Sequence, residues 1–123
     1  QALAKYQDSK DVAEAVEKGL VILSERQNEN GGYQYNATEQ VSCESVAQVI
    51  VALAELGISL DDPRFVKNGK TLLDGILQFQ CSDGGFSHLM DEETDLLATE
   101  QAFYALVAAN RIAQGESSLY RMK

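Results

Sequence analysis

The stretch Gln27-Asn28-Glu29-Asn30-Gly31-Gly32-Tyr33 returns 53 residues later as Gln80-Cys81-Ser82-Asp83-Gly84-Gly85-Phe86. Each copy is a glutamine, three residues, a glycine pair and an aromatic. At the same offset, without a gap, Asp8 matches Asp61, Leu20 matches Leu73, Glu39 matches Glu92, Gln48 matches Gln101, and Ala52-Leu53 matches Ala105-Leu106. A fixed period of this length means that one supersecondary unit is used twice. The 123 residues therefore read as a single domain of two repeats, about 9–57 and 62–114.

Helical punctuation repeats with the glycines. Ser9 and Asp62 sit where helices should start, and Asp62 precedes Pro63, which has no N–H to lose in a first turn. Ser42 and Asp95 are equivalent N-cap candidates ahead of apolar runs. The spacing predicts four helices, about 9–26, 42–56, 63–80 and 95–113, with Gly57 as a left-handed cap.

Apolar residues follow a 3.6-residue period in each. The predicted core stripes are Val12, Val16, Leu20 and Leu23, then Val46, Val49, Ile50, Leu53 and Leu56. The third is Phe65, Val66, Leu72, Leu73, Ile76 and Leu77, and the fourth is Leu96, Leu97, Phe103, Leu106, Val107 and Ile112. Alanine is concentrated in the second and fourth helices, which places those two on the crowded side. The fold class expected is all-α, two tandem helical hairpins with no sheet in either copy. Gly31-Gly32 and Gly84-Gly85 should supply positive φ or close backbone approach, which a Cβ resists.

The chain carries 10 basic and 19 acidic residues, a net charge of −9, which argues against a nucleic-acid partner. No run approaches the roughly 20 apolar residues of a membrane span. It opens Gln1-Ala2-Leu3, without an initiator Met or a signal pattern, and so reads as a processed or excised piece.

A glutamine, a short spacer, Gly-Gly and an aromatic ahead of an alanine-rich helix resembles the prenyltransferase and squalene-cyclase repeat. The resemblance covers roughly residues 9–114. It implies a segment of an α/α toroid, with the first and third helices outer and the second and fourth inner. The wording of 61–69, 83–88, 98–106 and Ser118-Leu119-Tyr120 is similar to the repeat segments of Gram-positive bacterial cell-surface proteins. That branch implies an extracellular or cell-surface location. It also implies a non-catalytic role as scaffold or binding module, with neighbouring repeats and a ligand or protein as partners. Two hairpins by themselves should leave apolar flanks on the first and fourth helices, which predicts self-association or marginal stability. Two alternatives stay open: a fragment of a terpenoid cyclase or prenyltransferase with its active residues elsewhere, and part of a cobalamin-carrier-like ring.

The residues themselves offer little catalytic chemistry. Class II cyclases protonate substrate from an Asp-x-Asp-Asp type motif, whereas the adjacent Asp61-Asp62 here sit at a helix start. One histidine, His88, and two unrelated cysteines do not make the ligand set that zinc needs. Cys43 is followed three residues later by Val46 rather than Gln, so an internal thioester fails. His88 reads as a loop residue rather than a base. The acidic run Asp91-Glu92-Glu93-Thr94-Asp95 lacks the glycine and alternate spacing of a calcium loop, and acids before a helix N-terminus are favourable without metal. No cofactor and no metal are expected.

Gln27, Gly31, Gly32, Tyr33, Gln80, Gly84, Gly85 and Phe86 are assigned to the structural repeat motif. Each glutamine should bridge the unpaired carbonyls ending an outer helix and the unpaired N–H groups opening an inner one. Each aromatic should pack over that junction. The polar residues Glu44, Gln48, Glu100, Gln101 and Tyr104 are the ligand-facing candidates, together with the loop ends 33–39 and 86–93. Asn36-Ala37-Thr38 fits an N-glycosylation acceptor, relevant only in a eukaryotic secretory chain. Cys43 and Cys81 fall at the same end of neighbouring helices, where a disulfide would require Cα atoms within roughly 4.4–6.8 Å.

Overall fold

The computed structural model describes residues 1–34 and 40–121; Asn36-Ala37-Thr38 and Glu39 lie outside the described residues. The chain is mostly helical, with α1 (Lys10–Arg26), α2 (Cys43–Leu56), α3 (Leu72–Leu77) and α4 (Leu96–Ala113). Short 3-10 turns occupy Ala4–Tyr6, Pro63–Phe65 and Leu119–Arg121.

The caps of α2 and α4 match each other. The Ser42 hydroxyl accepts from the Ser45 N–H at 3.2 Å, and its twin Asp95 accepts from the Ala98 N–H at 2.8 Å. Gly57 ends α2 at φ 72°, the left-handed cap expected of it. Ser9 differs, because its side chain makes no cap bond and only its carbonyl serves α1, accepting from the Ala13 N–H.

The continuous helix expected over 63–80 is corrected. Asn68 (φ 49°) and Gly69 (φ 73°) turn the chain back, and Lys67 and Lys70 exchange both backbone hydrogen bonds. Asn-Gly is the residue pair best suited to two successive positive φ values, and here it overrides the apolar period. Helix resumes at Thr71, whose hydroxyl accepts from the Asp74 N–H while the Asp74 carboxylate accepts from the Thr71 N–H. In the first repeat Ala15-Val16 occupy the places of Asn68-Gly69, and α1 runs unbroken.

The expectation of no sheet is also corrected. Strands β1 (Phe86–Ser87) and β2 (Thr94–Asp95) pair antiparallel, Phe86 with Asp95 and Ser87 with Thr94. This ribbon belongs to the repeat, since the first copy pairs Gln34 with Val41 at the same 53-residue offset. The loops ahead of the ribbons match bond for bond. The Asn28 N–H donates to the Gly32 carbonyl and the Gly31 N–H to the Asn28 carbonyl; Cys81, Gly85 and Gly84 repeat the pattern. Gly31 and Gly84 hold φ of 82° and 90°. A Cβ on Gly32 would lie 2.5 Å from the Val41 Cγ1, and one on Gly85 2.3 Å from the Thr94 Cγ2.

The core lies where α2 packs on α4. Cys43, Val46, Ala47, Ile50 and Leu53 of α2 are fully buried, as are Ala98, Ala102, Ala105 and Ala108 of α4. The predicted α4 stripe is therefore right only for Leu106 and Ile112, which pack partly buried against the core, whereas Leu96, Leu97, Phe103 and Val107 are exposed. Close helix approach selects small side chains at the contact and leaves the large ones on the flank. Leu73 and Leu77 are exposed on α3 for a related reason. Its six residues have one inward face, taken by Leu72 and Ile76. Tyr33 and Phe86 are buried over their junctions as expected.

At the far end of the core, the buried Glu55 carboxylate accepts from the Ser118 hydroxyl at 2.7 Å and the Tyr120 N–H at 3.3 Å. The Arg121 guanidinium donates to the Ala4 carbonyl, tying the last turn to the first. Both cysteines are free, so the bridge considered for Cys43 and Cys81 is not formed.

Candidate functional site

Among the described residues a groove of about 1100 Å³ is built where the two repeats meet. The end of α1 contributes Leu23, Glu25 and Arg26, and the first glycine loop adds Gln27, Asn28, Tyr33 and Gln34. The opening turns of α2 supply Ser42, Glu44, Ser45, Gln48 and Val49; the second repeat supplies His88, Leu97 and Gln101.

Helical spacing puts Glu44 and Gln48 on one face of α2, one turn apart. The second loop is pinned above them, because the Cys43 N–H donates to the His88 carbonyl at 3.0 Å and Ser42 pairs with Leu89. That pairing brings the His88 Nδ1 to 2.8 and 2.9 Å from the two Glu44 carboxylate oxygens. The pair is partly shielded, with imidazole and carboxylate 32% and 18% exposed. It is charge-assisted whenever the imidazole is protonated. The repeat-equivalent glutamines meet directly, the Gln48 Nε2 donating to the Gln101 Oε1 at 3.1 Å. Gln1 extends this amide ladder by donating to the Gln48 Oε1 at 3.0 Å.

Of the five ligand-facing candidates, the structure brings together Glu44, Gln48 and Gln101. Glu100 is exposed and lies outside the groove lining, and Tyr104 packs instead on Tyr120, ring centroids 6.3 Å apart. His88 lies in a loop, as read from the sequence, and the structure adds its carboxylate partner. Its link to Glu44 spans 44 residues, and nothing local in the sequence marks it. Gln1 was likewise not foreseen.

Gln27 is buried, but its donor bonds do not go to the carbonyls that end α1, as expected, and it ties the loop to the second repeat instead. Its Nε2 donates to the Gly31 carbonyl at 3.3 Å and to the Phe65 carbonyl of the second repeat at 2.9 Å. The expected acceptor bond to the start of α2 is not made, and Gln27 Oε1 has no hydrogen-bond partner. Gln80, its twin, is exposed.

Burial governs the titratable groups around the groove. The Tyr33 hydroxyl donates to the Leu23 carbonyl at 2.8 Å, and burial pushes its pKa well above the phenol range. The Cys43 thiol is pushed up to about 12, first by burial and then by the Glu44 and Asp95 carboxylates. Such a thiol is a packing group rather than a nucleophile. Among the described residues no group of three or more His, Cys, Asp or Glu is arranged to hold a metal ion.

The lining mixes the apolar Leu23, Val49 and Leu97 and the ionisable Glu25, Arg26, Glu44 and His88 with a set of neutral polar groups. Gln27, Asn28, Gln34, Gln48 and Gln101 are amides, and Ser42 and Ser45 are hydroxyls. Both groups donate and accept, so they can orient a polar ligand seated on the apolar part of the lining. No described helix is long and apolar enough to cross a membrane. The chain matches no family model, no curated protein and no solved structure.

Proposed function

We propose that the chain is a non-catalytic, α/α-toroid-type repeat segment of an extracellular bacterial surface protein. It acts as a scaffold that also binds a partner or ligand, with neighbouring repeats or a second copy completing its exposed flanks. The observation that carries the binding role is the groove, whose polar lining comes from both repeats and includes the paired amides Gln48 and Gln101. Its surroundings are spent on packing: the repeat glycines and aromatics hold loops, and the Cys43 thiol is sealed in the core.

A neutral polyhydroxyl or a peptide backbone fits such a lining. Amide NMR mapping with chitotetraose and with an uncharged acetylated tetrapeptide tests it. The expected result is saturable shifts at Glu44, Ser45, Gln48, His88 and Gln101, lost in a Gln48→Ala/Gln101→Ala variant. Saturable shifts confined to other surfaces would overturn the groove assignment. Labelled farnesyl diphosphate and squalene, with zinc or magnesium, should give no turnover. Turnover abolished by replacing Asp61 and Asp62 would restore the enzyme reading.

A further inference from the structure

We propose that the outward stripe of α4 is a self-docking surface on which a second copy of this chain packs in an antiparallel, twofold α4–α4 contact. This deepens the self-association proposed above and rests on it.

The repeat supplies the first argument. Leu96, Glu100, Phe103 and Val107 of α4 are the 53-residue twins of Cys43, Ala47, Ile50 and Ala54 of α2. Those four α2 positions are at most 2% exposed, whereas Leu96, Phe103 and Val107 are 85%, 54% and 47% exposed. The stripe that buries α2 in the core thus recurs on α4 with larger apolar side chains and lies open. Five large hydrophobics of this helix are exposed, Leu96, Leu97, Phe103, Tyr104 and Val107, with Phe103 also touching Phe86 and Tyr104 touching Tyr120. Contiguous apolar exposure of this kind marks an interaction surface rather than ordinary scatter.

The second argument is self-complementarity. Leu97, Glu100, Tyr104, Val107 and Arg111 follow alternate spacings of three and four residues, the seam of a helix pair. Laid antiparallel on its own copy about a twofold between Ala105 and Leu106, this seam sets Tyr104 of each helix against Val107 of the other. The same register sets Glu100 of each helix against Arg111 of the other, so the two charged seam positions meet opposite charge. Arg111, its side chain 23% exposed, is already held by Glu116 at 2.8 Å and by the Ser117 carbonyl and hydroxyl at 2.9 and 3.3 Å, which leaves one N–H on each terminal nitrogen for a second carboxylate. A contact that uses the same patch on both copies closes at the dimer.

The net charge of −9 supplies a signature. Two such copies repel at long range, so screening by salt should tighten an apolar self-contact and would weaken binding of a basic partner.

Sedimentation velocity from micromolar to millimolar concentration, at low and at high salt, tests the proposal. The expected result is a concentration-dependent dimer that tightens with salt. Val107→Glu should abolish it, with an unchanged helical spectrum and melting curve because Val107 is outside the core. Glu100→Arg should weaken the dimer about tenfold or more, and Glu100→Arg/Arg111→Glu should recover it. A monomer at every concentration would overturn both this surface and self-association. A dimer indifferent to Val107→Glu would overturn the α4 surface alone. Neither result bears on groove binding, which the amide mapping reads in the monomer.

Discussion

The two glycine loops have the same internal hydrogen bonds and opposite surroundings. The first is sealed by the second repeat. A Cβ on Gly31 would lie 2.3 Å from the Thr71 carbonyl oxygen, and one on Gly75 2.5 Å from the Gly31 carbonyl oxygen. Around this backbone contact Gln78 donates to the Asn30 carbonyl, Gln27 to the Phe65 carbonyl, and Ser24 to the Arg64 carbonyl. The second loop has none of this cover, since a Cβ on Gly84 would meet nothing within 4 Å. Local sequence builds the loop, and the neighbouring repeat decides what each of its residues is worth.

Reactivity should separate the two repeats most sharply. Cys43 is sealed in the core while its twin position, Leu96, is open. In a Cys81→Ser/Leu96→Cys variant, alkylation at pH 8 should label residue 96 at least about a hundredfold faster than Cys43, whose reaction waits for local opening. Equal rates would mean that α2 and α4 do not differ as described. The raised Cys43 pKa also has a direction on stability. The unfolded thiol ionises near roughly 8.5. Its contribution is therefore fully present below that pH and is lost as pH rises toward about 12.

Next in size are the glycines. Gly31→Ala meets both a positive φ and the Thr71 carbonyl, and should cost about 3 kcal/mol or more. Gly84→Ala meets only its positive φ and should cost about 1–2 kcal/mol. Urea unfolding of the pair measures the difference, which is the contribution of the inter-repeat contact. Equal losses would show that the backbone conformation alone matters.

The glutamines give a smaller contrast of the same sign. Removing buried Gln27 leaves the Phe65 carbonyl without its side-chain donor, so Gln27→Ala should cost about 1–3 kcal/mol. Gln80→Ala is a surface change and should stay within about 0.5 kcal/mol. Parity in urea midpoints would remove Gln27 from the inter-repeat bond.

The smallest effect distinguishes the loops by acid. Asn28 closes the first with a neutral amide, its Oδ1 accepting from the Asn30 and Gly32 N–H groups. Asp83 closes the second, accepting from the Thr94 hydroxyl and the Gly85 N–H, bonds that hold its carboxyl below the usual range. A lowered pKa contributes stability above the unfolded value, near 3.9, and loses it as pH falls through the folded one. Hydrogen exchange in acid should therefore loosen Gly85 and Thr94 before Gly32. The reverse order would show that Asp83 is not the bond that matters.

These contrasts mark how much was legible beforehand. The repeat offset located both loops and the caps of α2 and α4, Gly57 marked the end of α2 by itself, and the alanines put α2 and α4 on the crowded side. The break in the third helix was legible too, in Asn68-Gly69, and was outweighed by counting apolar positions alone. The groove was half legible. Glu44, Gln48 and Gln101 announce themselves as polar positions on apolar helices, whereas His88 enters only because the second loop pairs with the start of α2.

Sequence by itself determined the unit: its period, its glycine geometry and the caps of α2 and α4, all set by interactions within a few residues. Tertiary structure decided the faces. It chose the alanines of α4 for the core and left Leu96, Phe103 and Val107 outside, because close contact with α2 rewards small side chains. It also made Gln27 a buried bond and Gln80 a surface residue, although the two are the same letter in the same motif. A hydrogen bond or an apolar side chain acquires its energy from what lies across from it, and at that distance only the folded chain supplies the neighbour.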